Sequence, residues 1–176
     1  HGAIPPQKAW FMNPNFAPDI IGGAGLLKYV KGIREFSSSE ILIFDGGNFF
    51  QGHPYGMSDG GISVINWMNK VGYTALVPGR NDFVLGQKNL NTLADNANYP
   101  FLMTNLICND CDLKSNNIKS YIIKEIDNVK IAILGIVNSR VNDLVSSINI
   151  EGVDFQNAVS TLEEWIPILK EKKVNS

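Results

Sequence analysis

Short continuous apolar runs alternate along this chain with segments of helical period, and that alternation limits the fold more than any other feature. Glu40-Ile41-Leu42-Ile43-Phe44 suits a strand buried on both faces, and it stops at Asp45-Gly46-Gly47. Upstream, Leu26, Leu27, Val30 and Ile33 recur at helical spacing opposite Lys28, Lys31 and Arg34, which predicts an amphipathic helix to about Phe36. Downstream, Ser58 or Asp59 can cap a helix through Ile62, Ile65, Met68 and Val71, with Gly72 ending it. Thr74-Ala75-Leu76-Val77 reads as a second strand, a helix over about 90–97 follows, and Phe101-Leu102-Met103-Thr104 reads as a third strand. Strands and helices in this order predict an α/β layer with parallel strands.

Beyond these elements the pattern changes. Residues 118–126 and 129–137 flank Asp127-Asn128 as two strands of a hairpin, and the second, the most apolar run in the chain, is expected to be central. A loop with a short helix is expected over 139–148, and an amphipathic helix over 155–172 that Pro167 kinks. Residues 5–18, rich in proline and without periodicity, read as a long ordered loop. Trp10-Phe11-Met12 with Phe16, and Phe49-Phe50 with Tyr55, either form a partner surface or pack over the sheet edge.

Composition narrows the function classes. The 176 residues, 44% hydrophobic and 18% charged, suffice for one domain with an ordinary core. Fifteen Lys and Arg against seventeen Asp and Glu leave a net charge of −2 without a basic block, so nucleic-acid binding is not expected. No stretch approaches the roughly 20 apolar residues of a membrane span. A first-row metal site needs about three or four N, S or carboxylate ligands. With two histidines and two cysteines, such a site would have to draw on carboxylates and amides, or on atoms outside the chain. Cys108-Asn109-Asp110-Cys111 reads as a local disulfide or two free thiols, with a redox or metal pair as the alternative.

In open α/β sheets ligands bind beyond the carboxyl ends of the strands. That places Asp45 and Asn48, then Arg80, Asn81 and Asp82, then Asn105, and finally Asn138-Ser139-Arg140 as candidates, although Asp and Asn at strand ends also close Asx-turns. His53, in Gly52-His53-Pro54-Tyr55, reads as a surface or turn histidine.

Several ordered blocks carry a resemblance. They are His1-Gly2, Gly22-Gly23-x-x-Leu26, Phe44-Asp45-Gly46-Gly47-Asn48-Phe49-Phe50-Gln51-Gly52, Met68-Asn69-x-x-Gly72-Tyr73-x-Ala75 and Gly79-Arg80-Asn81-Asp82-Phe83-x-x-Gly86. Thr104-Asn105-Leu106 and residues 130–135 continue the series. Nearly the whole chain thus resembles the N-terminal calcineurin-like metallophosphoesterase domain of the bacterial 5′-nucleotidase/UDP-sugar hydrolase family. The resemblance implies a layered α/β sandwich, present here in part, and one domain over 1–176 that is cut short at both ends. It further implies phosphate-ester hydrolysis by two divalent metals (Mn, Zn or Mg) that activate water and stabilise the phosphoryl oxygens. On this mapping His1 matches a metal ligand, Asn48 stands at the metal-bridging Asp, Arg80 at a metal-binding Asn, Asn81 at the catalytic His and Asp82 at a Glu.

These substitutions change the charge at the site. A neutral amide at the bridging position removes a full negative charge, and a guanidinium, which does not deprotonate in proteins, brings a fixed positive one. Asn81 cannot transfer a proton. The leading expectation is therefore a 5′-nucleotidase-like domain with a degenerate metal site and no cofactor, inactive or weakly active, that serves as a binding or assembly module. The alternative is an active phosphomonoesterase or nucleotide hydrolase completed by missing segments or a partner chain. Arg80 is expected to pair with Asp45 or Asp82; otherwise it forms, with Asp45 and Asn105 near the same edge, a site for a phosphate or carboxylate. A partner chain or further segment is expected to complete the sheet. The resemblance also implies a periplasmic or extracellular location, compatible with an oxidised Cys-x-x-Cys loop.

Overall fold

The computed structural model describes residues 2–172 and 174. Its centre is a parallel sheet in which β3 (Phe44–Asp45), β4 (Ala75–Leu76), β5 (Phe101–Leu102) and β7 (Ile118–Lys119) lie side by side in sequence order. Phe44 pairs with Ala75, Leu76 with Phe101 and Phe101 with Ile118. The crossovers between the first three strands carry helices: α2 (Pro54–Met57) and α3 (Ile62–Val71) after β3, and α4 (Gly86–Asn96) after β4. Earlier in the chain, a two-residue ribbon of β1 (Gln7–Lys8) and β2 (Asp19–Ile20) leads into α1 (Gly23–Phe36). The expected α/β layer with parallel strands is thus the observed one.

Local chemistry explains the helices. Asp59 accepts the backbone N–H of Ser63 at 2.9 Å and that of Gly61 at 3.2 Å, which anchors the entry to α3. At its other end Gly72, with φ of +80°, caps the helix in the left-handed conformation. Val64, Ile65, Met68 and Val71 of α3 join Leu90, Leu93 and Ala94 of α4 and Leu76, Phe101 and Phe50 in one buried core. Phe49 and Phe101 meet edge to face with ring centroids 6.1 Å apart.

Four expectations are corrected. Residues 40–44 were expected to be a strand throughout, but the ladder holds only Phe44–Asp45. Further back the Thr74 N–H still donates to the Ile43 carbonyl at 2.7 Å, but the Ile43 N–H turns to the Thr74 hydroxyl at 3.0 Å instead of a backbone partner. Residues 118–126 are not one strand: β7 leaves the parallel sheet at Ser120, whose carbonyl accepts the Thr104 hydroxyl, and β8 (Tyr121–Ile126) starts a separate hairpin. Its partner β9 (Val129–Leu134) is not central. It pairs only with β8 among the described strands, and its first three residues are exposed. Asp127 and Asn128, with φ of +51° and +65°, supply the hairpin turn that the sequence announced. Finally, Phe155 does not open the last helix. It ends β10 (Val153–Phe155), which pairs antiparallel with β6 (Leu106–Cys108), and α6 (Ala158–Glu171) begins after the Asn157 side chain accepts the Val159 N–H at 2.9 Å. Pro167 lies inside α6. A short helix, α5 (Val141–Leu144), occupies the loop before β10.

Of the two aromatic groups, Phe49 and Phe50 are buried, whereas Trp10, Phe11, Met12 and Phe16 are exposed. Among the described residues no helix is long and apolar enough to cross a membrane.

Candidate functional site

The loops after β3 and β4 meet at the carboxyl edge of the sheet. Asp45 Oδ1 accepts the Gly47 N–H at 2.8 Å and starts a tight reversal that carries Gly47 (φ +84°) and Asn48 (φ +57°) through the left-handed region. Only glycine fits at 47: a Cβ there would stand 2.0 Å from the Gly79 nitrogen and 2.5 Å from the Val77 carbonyl oxygen. The facing loop turns through a 3₁₀ helix over Arg80–Phe83.

Asp82 clasps the two loops together. Its Oδ2 accepts the N–H groups of Asn48 at 2.6 Å and Gly79 at 2.8 Å, and its Oδ1 accepts that of Phe49 at 3.1 Å. A second link runs the other way, from the Asn81 N–H to Asn48 Oδ1 at 2.9 Å. Asp82 is fully buried, and burial pushes its carboxyl up to about 7, with a smaller push from the neighbouring Asp45 carboxylate and against the pull of the three N–H donors. Burial also raises Asp45, opposed by its bond from Gly47.

Arg80 is exposed and makes no ion pair with Asp45 or Asp82. This corrects the expectation of an internal pair. The Asp82 oxygens are already taken up by backbone N–H groups, so the guanidinium has no position of low energy among them. Asn105 is buried, and its amide is committed to the framework: Nδ2 donates to the Val137 carbonyl at 2.8 Å and the Gln156 carbonyl at 2.9 Å, while Oδ1 accepts the Val137 N–H at 2.9 Å. Asn138 Oδ1 closes a turn onto the Arg140 N–H, and His53 Nδ1 caps α2 by accepting the Tyr55 N–H at 3.1 Å. His1, expected as a metal ligand by resemblance, lies outside the described residues. Cys108 and Cys111 are joined in a disulfide, one of the forms left open by the sequence.

Asp45, Asn48, Asn81 and Asp82 are thus brought together with Arg80 at one edge, while Asn105, Asn138 and His53 are engaged elsewhere. Among the described residues no three His, Cys, Asp or Glu side chains are grouped so as to hold a metal ion, and the carboxylate nearest the expected position already accepts three N–H bonds.

Sequence reasoning did not find Trp67. This α3 residue lines a hollow with Asp45, Gly47, Phe49, Leu26 and Tyr73, and its indole Nε1 is buried without an acceptor among the described residues. A tryptophan on an apolar helix face looks like any core residue, so no local signal marks it.

No protein-family model matches the chain, and no curated protein matches it by sequence. Solved structures do. The NAD nucleotidase of Haemophilus influenzae superposes with a TM-score of 0.79 at 23% identity over 91% of this chain and 28% of that one. The 5′-nucleotidase precursor of Thermus thermophilus gives 0.83 at 18% identity, over 91% of this chain and 31% of the other. A calcineurin-like phosphoesterase of Bacillus subtilis gives 0.71 at 25% identity, over 87% and 51%. The chain therefore has the fold of 5′-nucleotidases and calcineurin-like phosphoesterases, as its sequence blocks suggested, and it spans about a third of the length of the first two.

Proposed function

We propose that this chain is a phosphoesterase-fold domain that binds or assembles rather than hydrolyses, its two-metal site having been replaced by an internal clasp. The observation that carries this reading is the arrangement of Asn48 and Asp82. The position expected to bridge two cations holds an amide whose oxygen accepts the Asn81 N–H, and the adjacent carboxylate is buried under three backbone N–H donors. A divalent cation there would have to displace those bonds and lie near Arg80, whose charge opposes it. The exposed guanidinium supports a different use at the same edge, a fork for phosphate or carboxylate without metal.

β3 ends the parallel sheet, and the hollow beside it holds the unpartnered Trp67 N–H. An extended segment, from a longer form of the chain or from a partner, would pair with the β3 edge and bring carbonyl oxygens to that indole. The disulfide supports a periplasmic or extracellular setting, where such bonds persist.

Elemental analysis of the purified protein, together with assays on 5′-nucleotides and p-nitrophenyl phosphate, tests the reading. The expected result is no stoichiometric Mn or Zn and no turnover. Two tightly bound ions with turnover would overturn it in favour of a hydrolase.

A further inference from the structure

Residues 9–18 connect β1 to β2; Ala9 at the neck is buried, and the tip beyond it is exposed. Ten successive residues, Ala9-Trp10-Phe11-Met12-Asn13-Pro14-Asn15-Phe16-Ala17-Pro18, carry no charge, and the four large apolar ones stand in solvent. Trp10 is 60% exposed, Phe11 82%, Met12 66% and Phe16 84%. Single exposed hydrophobics need no explanation, but four on one loop do.

The loop is ordered from within. The Ala9 N–H reaches the Pro18 carbonyl at 2.8 Å and closes the neck, and the Met12 N–H reaches the Ala9 carbonyl at 2.9 Å. Asn13 Oδ1 accepts the N–H groups of Asn15 at 3.0 Å and Phe16 at 3.1 Å. Pro14 and Pro18 have no N–H to satisfy. Much of the tip's backbone is therefore already bonded or donor-free, which lowers the cost of taking it out of water.

The apolar surface continues onto α1. Ile21 lies against the first turn of that helix, its Cγ2 only 1.5 Å from where a Cβ on Gly25 would sit. From there an exposed stripe runs through Tyr29, Ile33 and Phe36, with Lys28 on its border. The charge balance of this segment is opposite to that of the chain. Residues 1–36 contain Lys8, Lys28, Lys31 and Arg34 against Asp19 and Glu35, whereas the whole chain is at −2.

We infer that the 9–18 loop and the exposed stripe of α1 form a peripheral docking surface for an anionic lipid bilayer, with the aromatic tip entering the interfacial layer and Lys28 and Lys31 facing the headgroups. An exposed, uncharged tip of Trp, Phe and Met beside lysines matches the interface between hydrocarbon and acidic headgroups. A protein partner would instead need a pocket shaped to receive the protrusion. This surface shares no residue with the loops around Asp45 and Asp82, and only Ile21 also borders the hollow beside Trp67, so the inference does not depend on whether the site binds metal.

Co-sedimentation of the full chain with vesicles of phosphatidylcholine and phosphatidylglycerol, against pure phosphatidylcholine, reads it directly. The expected result is salt-sensitive binding that prefers the anionic vesicles, with a blue shift of tryptophan fluorescence. The double variant Phe11→Ser/Phe16→Ser should lower the partition coefficient by roughly a hundredfold, about tenfold for each ring withdrawn from the interface. Lys28→Glu/Lys31→Glu should lower it about tenfold or more and remove the preference for anionic lipid. All four positions are exposed, and circular dichroism of each variant serves as the control for folding. No binding to anionic vesicles, or binding that the Phe variant leaves unchanged, would overturn the inference. So would self-association by light scattering that the Phe variant abolishes while vesicles are ignored, since the occupant would then be a second copy of the chain.

Discussion

Replacing Asp82 with asparagine should flatten the pH dependence of stability and reverse the order of wild type and variant between pH 5 and pH 8, because one buried carboxyl both clasps the site loops and titrates near neutrality. Its value of about 7 in the folded chain stands above the ordinary 3.8. Between those values the folded chain keeps a proton that the unfolded chain has released. The stabilisation is thus fully present below about pH 4, falls by about 1.4 kcal/mol per pH unit, and is gone above about pH 7, a total of about 4 kcal/mol. Asp45 is raised for the same reason and contributes with the same sign, so the Asp82 variant is what separates them. In Asp82→Asn an amide oxygen can still accept the Asn48 and Gly79 N–H groups, but the amide nitrogen then faces the Phe49 N–H, a loss of about 1–3 kcal/mol. The variant should therefore be the less stable protein at pH 5 and the equal or more stable one at pH 8. Urea unfolding at both pH values, compared at constant m, provides the test. If the wild type is at least as stable at pH 8 as at pH 5, and the variant is weaker by one margin at both, the three N–H bonds outweigh burial and the reasoning fails.

Gly47→Ala should destabilise the fold by more than about 2 kcal/mol, since its Cβ would collide with the Gly79 nitrogen at 2.0 Å in a left-handed conformation; thermal unfolding reads this, and a neutral effect would mean that the two loops are free to separate. Asn105→Ala removes three hydrogen bonds from a buried framework position and should cost about 3 kcal/mol in urea unfolding, without altering any anion affinity associated with Arg80. Reducing the Cys108–Cys111 disulfide, which closes a very short loop, should cost no more than about 2 kcal/mol, measured as the urea midpoint with and without reductant. Arg80→Ala should weaken the chemical-shift response to added phosphate while leaving the melting temperature unchanged, because the side chain is exposed and unpaired among the described residues.

The helices were the most legible part of the fold. Leu26, Val30 and Ile33 announced α1 and Gly72 closed α3, because helical period and the C-terminal glycine are written in neighbouring residues; the N-cap of α3 is Gly61 rather than Ser58 or Asp59. Strand extents were not legible. An apolar run such as 129–137 reads as central whenever its hydrophobicity is judged alone, yet centrality depends on what comes alongside: among the described strands β9 pairs only with β8, and the run reaches the core only at Gly135 and Val137, which bond Thr104 and Asn105. The two short strands β6 and β10 went unseen for the same reason: they pair across more than forty residues, and three residues each are too few to establish a period.

The candidate site divides along the same line. The loops around Asp45 and Asp82 could be located from sequence, because glycines beside Asp and Asn at the ends of apolar runs mark sharp turns at the carboxyl edge. The partners of those side chains could not. Opposite charge on loops expected to face each other matched Arg80 to Asp45 or Asp82, and only the folded chain revealed that the Asp82 carboxylate is enclosed by the N–H groups of Asn48, Phe49 and Gly79. Sequence by itself therefore determined the layer type, the helices and the chemical character of the site, since these follow from local period, caps and residue type. Tertiary structure decided which strands are central, which aromatics are buried and where each polar atom finds its partner, because hydrogen bonding and desolvation depend on what approaches from elsewhere in the chain.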